Sequence, residues 1–234
     1  MDVQTNQTIR EIVQGCPAAV PVFETFGIDY CCGGHRSLAD ACSKKNIPLS
    51  DVLSALGSAA AGRPAVDDAK WMSAPLSELT DHIVATHHVH EIHELARLTA
   101  LAEKVFLRHG QNHDELGGLR DLVNAISSEM TAHMLKEELV LFPQLAKLQS
   151  QSRVNASGSL SMPIRHMMEE HEDTGELLEQ VRKLTNDYQP PNTACMSYQA
   201  LFHGLADLEK DLHQHIHLEN NILFPRALAF ETVH

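Results

Sequence analysis

Residues 211–228 read DLHQHIHLENNILFPRAL, and residues 131–145 read the closely similar TAHMLKEELVLFPQL. In each stretch a His stands four residues before a Glu, His133 before Glu137 and His215 before Glu219, and Phe-Pro follows at the same offset. Residues i and i+4 share one face of a helix, so each stretch predicts an imidazole and a carboxylate pointing the same way. The proline that follows predicts that the helix ends or bends about one turn later.

Apolar residues precede each His–Glu pair in alternating steps of four and three, which is the spacing of a helical bundle seam. The two stripes are Leu119, Val123, Ile126, Met130, His133 and Glu137, and Leu201, Leu205, Leu208, Leu212, His215 and Glu219. A His and a Glu on an otherwise apolar seam face the core, where an unpaired charge is too costly to persist. We therefore expect a group bound in the core to satisfy them.

Two further histidines, His88 and His171, fit the same duplication. Eighty-three residues separate His88 from His171, and 82 separate His133 from His215. His88 lies on the seam of a helix predicted over about 76–108, and His171 on one predicted over 163–186. With helices over about 116–148 and 194–224, the pattern predicts an all-α, antiparallel four-helix bundle that duplicates one helix pair.

The bundle is predicted over residues 71–234, after a linker at 58–70 and a small helical N-terminal domain at 1–57. The centre of this domain is DYCCGG, residues 29–34. Gly33 and Gly34 predict a turn with positive φ, which leaves the adjacent Cys31 and Cys32 where a thiol is reachable. The alternative is that both cysteines are small buried hydrophobic residues.

Composition excludes several classes of function. The chain has 234 residues, with 18 Lys and Arg against 31 Asp and Glu, and its net charge of −13 disfavours nucleic acid or an anionic membrane surface as a partner. No signal-peptide pattern opens the sequence and no run of about 18 apolar residues occurs. Five cysteines, two of them adjacent, argue against a secreted disulfide framework. We expect a cytoplasmic protein with free thiols.

Four imidazoles and two carboxylates on four facing helices suit two adjacent first-row metal ions, because carboxylates can bridge two cations and offset their charge. Ferritin-like carboxylate proteins instead use Glu-x-x-His with an excess of Glu. A single seam His is more often a satisfied core residue than a ligand, but the phased repetition favours a dinuclear site. Such a site keeps residual positive charge and room for a small ligand such as NO or O2.

The bundle resembles the hemerythrin-like domain, and the whole chain is similar to the RIC family of iron-sulfur cluster repair di-iron proteins. The matching motifs are DYCCGG, HM-x2-EE followed by LFP, EEH followed by GELLE, and H-x3-ENN-x-LFPRAL. The resemblance implies a cytoplasmic, homodimeric, non-haem di-iron protein that responds to nitric oxide and oxidative stress. It implies as ligands His88, His133, Glu137, His171, His215 and Glu219, with both glutamates bridging two iron ions. Hemerythrin itself has a fifth histidine, so this chain departs from the oxygen-carrier pattern.

The resemblance also implies that Glu129 and Glu170 line an access route to the site, and ordinary surface glutamates are the alternative. Cys31 and Cys32 are candidates to accept NO, to hold a client's iron or to sense oxidation, provided their pKa is lowered. Two functions stay open. One is a non-enzymatic protein that donates iron to damaged iron-sulfur proteins, and the other is an enzyme that reduces NO to N2O.

Overall fold

The computed structural model describes residues 3–60, 70–150 and 159–233. Helices make up most of these residues, which include no strand and one isolated bridge between Thr8 and Ser37. The all-α class and the four-helix bundle predicted from the sequence are confirmed.

The N-terminal domain contains four short α-helices. They are α1 (Ile9–Gly15), α2 (Val20–Thr25), α3 (Leu38–Lys44) and α4 (Leu49–Ala60), with a 3-10 turn at Pro17–Ala19. A capping box starts α1: the Glu11 N–H donates to the Thr8 hydroxyl at 3.2 Å, and the Thr8 N–H donates to the Glu11 carboxylate at 2.8 Å. Helix α4 includes residues 58–60 of the predicted linker, and Lys70 is again helical. The rest of that linker, residues 61–69, lies outside the described residues.

The bundle consists of four long helices, three of which contain a π-helical turn. The segments are α5 (Leu76–Ile83), α6 (Val89–His109), α7 (Glu115–Lys136), α8 (Phe142–Ser150), α9 (Ser161–Leu184), α10 (Met196–His217) and α11 (Phe224–Val233). The π-turns are Val84–His88 between α5 and α6, Glu137–Leu141 between α7 and α8, and Leu218–Leu223 between α10 and α11. Each π-turn contains a predicted ligand, and such turns often occur at functional sites.

Both helices continue past their Phe-Pro motifs, so neither proline ends its helix, and a bend there stays a prediction. Pro143 and Pro225 are the second residues of α8 and α11. A proline has no N–H and so leaves the carbonyl four residues earlier without its helical partner. For Pro225 that carbonyl belongs to Asn221, and it accepts a hydrogen bond from the side chain of Gln14 at 3.0 Å.

Two apolar clusters fill the bundle, one toward each end. The first contains Leu95, Leu98, Val123, Ile126, Met130, Leu178, Leu205 and Leu212 among others. The second contains Leu79, Ile83, Leu141, Phe142, Ile164, Met167, Leu218 and Phe224 among others. Each long helix passes from one cluster to the other through the segment that carries the predicted ligands. The ligand layer is therefore closed off by hydrocarbon on both sides.

The N-terminal domain packs directly on the bundle. Its own apolar cluster includes Ile216 of α10. The Asn221 side chain donates to the Tyr30 carbonyl at 3.1 Å and accepts from Arg10 Nε at 3.2 Å. On α9, a Cβ at Gly175 would lie 3.0 Å from the Cβ of Cys32, so glycine permits this close approach. Gly175 therefore faces the N-terminal domain.

Candidate metal centre

The fold brings the six predicted ligands into one buried layer, in which none is more than 2% exposed. Two groups form, and within each the donor atoms all lie within 4.8 Å of one another. The first group is His88, Glu137, His215 and Glu219, and the second is His133, Glu137, His171 and Glu219. Each group draws on four different side chains, and both glutamates belong to both groups.

Each glutamate gives one oxygen to each group. Glu137 places Oε2 3.5 Å from His88 Nε2 and Oε1 3.3 Å from His133 Nε2. Glu219 places Oε1 3.2 Å from His215 Nε2 and Oε2 3.2 Å from His171 Nε2. This is the placement that two carboxylates need to bridge a pair of cations.

The polar atoms of this layer are arranged to bind cations rather than to form hydrogen bonds with one another. All four carboxylate oxygens are buried and have no hydrogen-bond partner. The Nε2 atoms of His88 and His215 lie 3.1 Å apart, and those of His133 and His171 lie 2.9 Å apart. Neutral imidazoles with their protons on Nδ1 would point two lone pairs at each other. Donors about 2.1 Å from a shared cation, at right angles, are roughly 3 Å apart, so a cation resolves both conflicts.

The second nitrogen of every imidazole faces an oxygen, as is usual for metal-binding histidines. The Nδ1 contacts are His88 to Glu138 at 2.8 Å, His133 to Glu170 at 2.8 Å, His171 to Asn220 at 3.0 Å, and His215 to Glu91 at 2.9 Å. These oxygens favour the tautomer that leaves Nε2 free for a cation. Neither Glu138 nor Asn220 was predicted from the sequence, although each directly follows, on its π-turn, a glutamate that belongs to both groups.

The buried carboxylates shift the pKa values of the imidazoles. Burial lowers the pKa of His133, but the charges of Glu137 and Glu219 outweigh it and raise that pKa to about 9. Burial likewise opposes protonation of His215, whose pKa nevertheless rises well above its usual value beside Glu91 and Glu219. Without a cation, His133 and His215 therefore hold a proton more strongly than a free imidazole does.

The two candidate access-route glutamates lie in different environments. Glu170 is 25% exposed, accepts from His133 and pairs with Lys136. Glu129 is exposed on the outer face of α7, and Met130 takes the buried position three residues before His133. Glu129 belongs to neither group of donor atoms.

Of the two alternatives for Cys31 and Cys32, the structure favours small buried residues over reachable thiols. Their exposed fractions are 0% and 4%, and their sulfur atoms lie 3.6 Å apart. Burial raises the pKa of the Cys31 thiol well above its usual value. The hydrogen bond from Cys31 lowers the pKa of Cys32, but burial and the charge of Asp29 outweigh it. Cys32 lines a cleft of about 870 Å³ between the two domains, although its side chain is almost fully covered.

The turn at Gly33 and Gly34 forms, but not through positive φ. Among the described glycines the left-handed conformation occurs at Gly27, with φ 61°. At Gly34 the constraint is space, because a Cβ there would lie 3.0 Å from the Tyr30 carbonyl. The Asp29 carboxylate organises the turn by accepting the N–H of Cys32 at 2.9 Å.

One side chain joins this turn to the ligand layer. Asn220 donates through Nδ2 to the Cys31 carbonyl at 3.0 Å, and its Oδ1 faces His171 Nδ1 at 3.0 Å. The N-terminal domain thus helps to orient one imidazole of the site through its backbone, without using a thiol.

Comparison with known families agrees with this architecture. Residues 79–227 match the hemerythrin HHE cation binding domain, and residues 5–60 match ScdA_N, a domain of unknown function (DUF542). Fold and site thus define a hemerythrin-type cation binding protein with an additional N-terminal domain. No helix in the described part of the chain is long and apolar enough to cross a membrane.

Individual relatives cover nearly the whole chain. The iron-sulfur cluster repair protein YtfE of Escherichia coli O81 (strain ED1a) is 38% identical over 227 residues, which is 97% of this chain and 98% of the relative. The protein of the same name from Escherichia fergusonii matches to the same extent. The chain belongs to the family of these iron-sulfur cluster repair proteins.

Cation binding should release protons and weaken as the pH falls. At neutral pH the cation-free protein carries a proton on His133, whose pKa of about 9 lies above the solution pH, and a cation must displace it. Adding Zn²⁺ to weakly buffered, cation-free protein should acidify the solution, as recorded with a pH-stat. Affinity that is independent of pH between about 6 and 8 would contradict this proton competition.

Thiol alkylation should follow exposure. Cys195 is exposed, whereas Cys31 and Cys32 are buried with raised pKa values, so Cys195 should react with iodoacetamide first. Peptide mass spectrometry over a time course measures each site, and protein unfolded in urea provides the control in which all cysteines react. Equally fast labelling of Cys31 in the folded protein would show that its thiol is reachable after all.

Proposed function

We propose that the protein holds a dinuclear iron centre and donates iron to iron-sulfur clusters damaged by nitrosative or oxidative stress. The observation that carries the proposal is the pair of buried carboxylates, Glu137 and Glu219, each with one oxygen in each of two donor groups. The names of the relatives support repair as the purpose. They do not favour the alternative, reduction of NO to N2O.

In this proposal His88 and His215 hold one iron, His133 and His171 hold the other, and both glutamates bridge. Two ferrous ions carry more positive charge than two carboxylates neutralise, so the site retains an attraction for anionic or small ligands. When bound, the iron pair supplies coordination positions for NO or O2. The protein's residues hold the pair and exclude bulk water from it.

The residues that contact Nδ1 of the four histidines differ in exposure, and this difference supports iron that is released rather than held permanently. Glu91 is 0% exposed and Asn220 is 1% exposed, so the Nδ1 contacts of His215 and His171 are shielded from water. Glu138 and Glu170 are 35% and 25% exposed at their side chains, so His88 and His133 are supported by partly hydrated carboxylates. Each iron position thus combines one rigidly held imidazole with one whose support reaches solvent. Movement of Glu138 or Glu170 toward solvent would remove the Nδ1 hydrogen bond of His88 or His133 and would weaken the hold of that imidazole on a bound iron.

Charge, cysteine state and surface support the remaining parts of the proposal. All five cysteines are free, which fits a reducing cytoplasm, and the net charge of −13 fits protein partners better than nucleic acid or membranes. The partners we propose are damaged iron-sulfur proteins. Leu135, Leu139 and Val140 are 55%, 68% and 54% exposed, an apolar surface suited to a homodimer contact.

Loss of either bridge should release both irons. E137A and E219A each remove a ligand from both positions and leave a buried imidazole pair uncompensated, whereas E129A changes an exposed residue outside the site. After anaerobic loading and dialysis, elemental analysis should give about two irons per chain for wild type and E129A, and well under half of that for the bridge variants. Equal iron retention in all three variants, or a single iron in wild type, would contradict the proposed centre.

Donation is tested with isotopically labelled iron. Protein loaded with the label is mixed anaerobically with an NO-damaged iron-sulfur dehydratase, and Mössbauer spectra of the re-isolated dehydratase report whether its cluster carries the label. Wild type and E129A should restore activity and transfer the label, and E137A should do neither. Restored activity with an unlabelled cluster, together with N2O in the headspace, would instead support removal of NO.

A further inference from the structure

A third group of possible metal donors lies beside the dinuclear layer and consists of His87, Glu91 and Asp211. Its donor atoms all lie within 4.8 Å of one another, and none belongs to the six ligands already described. We propose that this group is a separate, mononuclear site for a first-row divalent cation.

The π-turn Val84–His88 creates this group. His87 and His88 are consecutive, and in a regular α-helix consecutive side chains point about 100° apart. The wider turn lets both imidazoles point inward, so that their exposed fractions are 4% and 0%. Glu91 follows His87 by one turn on α6, and Asp211 precedes His215 by one turn on α10. The third group therefore lies directly against the outer side of His215.

Two polar atoms of the group lack a hydrogen bond, as the carboxylate oxygens of the dinuclear layer do. His87 Nδ1 and Asp211 Oδ2 are buried atoms without a hydrogen bond, and the His87 side chain is 5% exposed. Nδ1 lies 3.2 Å from Asp211 Oδ1 but off the direction of a hydrogen bond. The N···O separations in the dinuclear layer are 3.2 to 3.5 Å, so the same spacing of donors occurs here.

The donor set determines which cation fits. One imidazole and two carboxylates suit Fe²⁺, Mn²⁺ or Zn²⁺, and two carboxylates neutralise one divalent ion. Glu91 also accepts from His215 Nδ1, at 2.9 and 3.1 Å. A carboxylate has about four acceptor positions, so Glu91 can support His215 and bind a cation at the same time. It would connect the third cation to a ligand of the iron pair.

One donor of the site reaches the surface, and the other side of the site meets the buried layer. The Asp211 side chain is 21% exposed, whereas Glu91 and His215 are fully buried. We assign the site a role as a transient binding site for a ferrous ion that enters or leaves the dinuclear layer. This role rests on the proposed iron donation. The existence of the site does not depend on that role.

The test counts Co²⁺ bound to the full-length protein by anaerobic equilibrium dialysis and elemental analysis. Wild type should bind one more cobalt ion per chain than D211N or H87F, while both variants keep the pair held by the six buried ligands. D207N is the control, because it makes the same change in charge on the same helix at an exposed position. A cobalt count that is unchanged in D211N and H87F would overturn the third site.

The same test separates this inference from the proposed function. Wild type that binds fewer than two cobalt ions in the dinuclear layer would contradict the iron centre. Wild type that binds two cobalt ions there and no third ion would contradict only the third site. Anomalous diffraction at the cobalt edge from wild-type crystals gives the answer without a substitution. A peak between His87 and Asp211 is expected, and its absence at saturating Co²⁺ would overturn the proposal.

Discussion

The structure depends on two carboxylates, Glu137 and Glu219, buried with all their oxygens unpaired between two apolar clusters. Moving a carboxylate out of water costs several kcal/mol even after relaxation. The four imidazoles lie nearest to these oxygens and can supply the compensation. They can supply it as imidazolium ions or by holding cations. Folding and metal binding therefore rely on the same contacts.

Sequence spacing was sufficient to find the six residues of this layer, because the steps of four and three that define a seam also place His133, Glu137, His215 and Glu219 on it. It did not reveal the π-turns, because their one signal is a single longer step in the seam, such as the five residues from buried Ile83 to buried His88. For that reason the inward position of His87 and the contacts of Glu138 and Asn220 were missed.

The vicinal cysteines show where local sequence is least informative. Adjacent thiols beside two glycines suggested an open, reactive loop, but burial is decided by what packs on the loop. Here α9 covers it through Gly175, and the π-turn Leu218–Leu223 covers it through Asn220. Asn220 touches both the Cys31 carbonyl and His171, so the N-terminal domain supports the ligand layer through its backbone.

X-ray absorption at the iron edge of the anaerobically loaded protein tests the central claim, that two buried glutamates bridge two irons, most directly. We predict a nitrogen and oxygen first shell together with scattering from a second iron at about 3.5 to 4 Å. Iron without a neighbouring iron, or a first shell that contains sulfur, would contradict it.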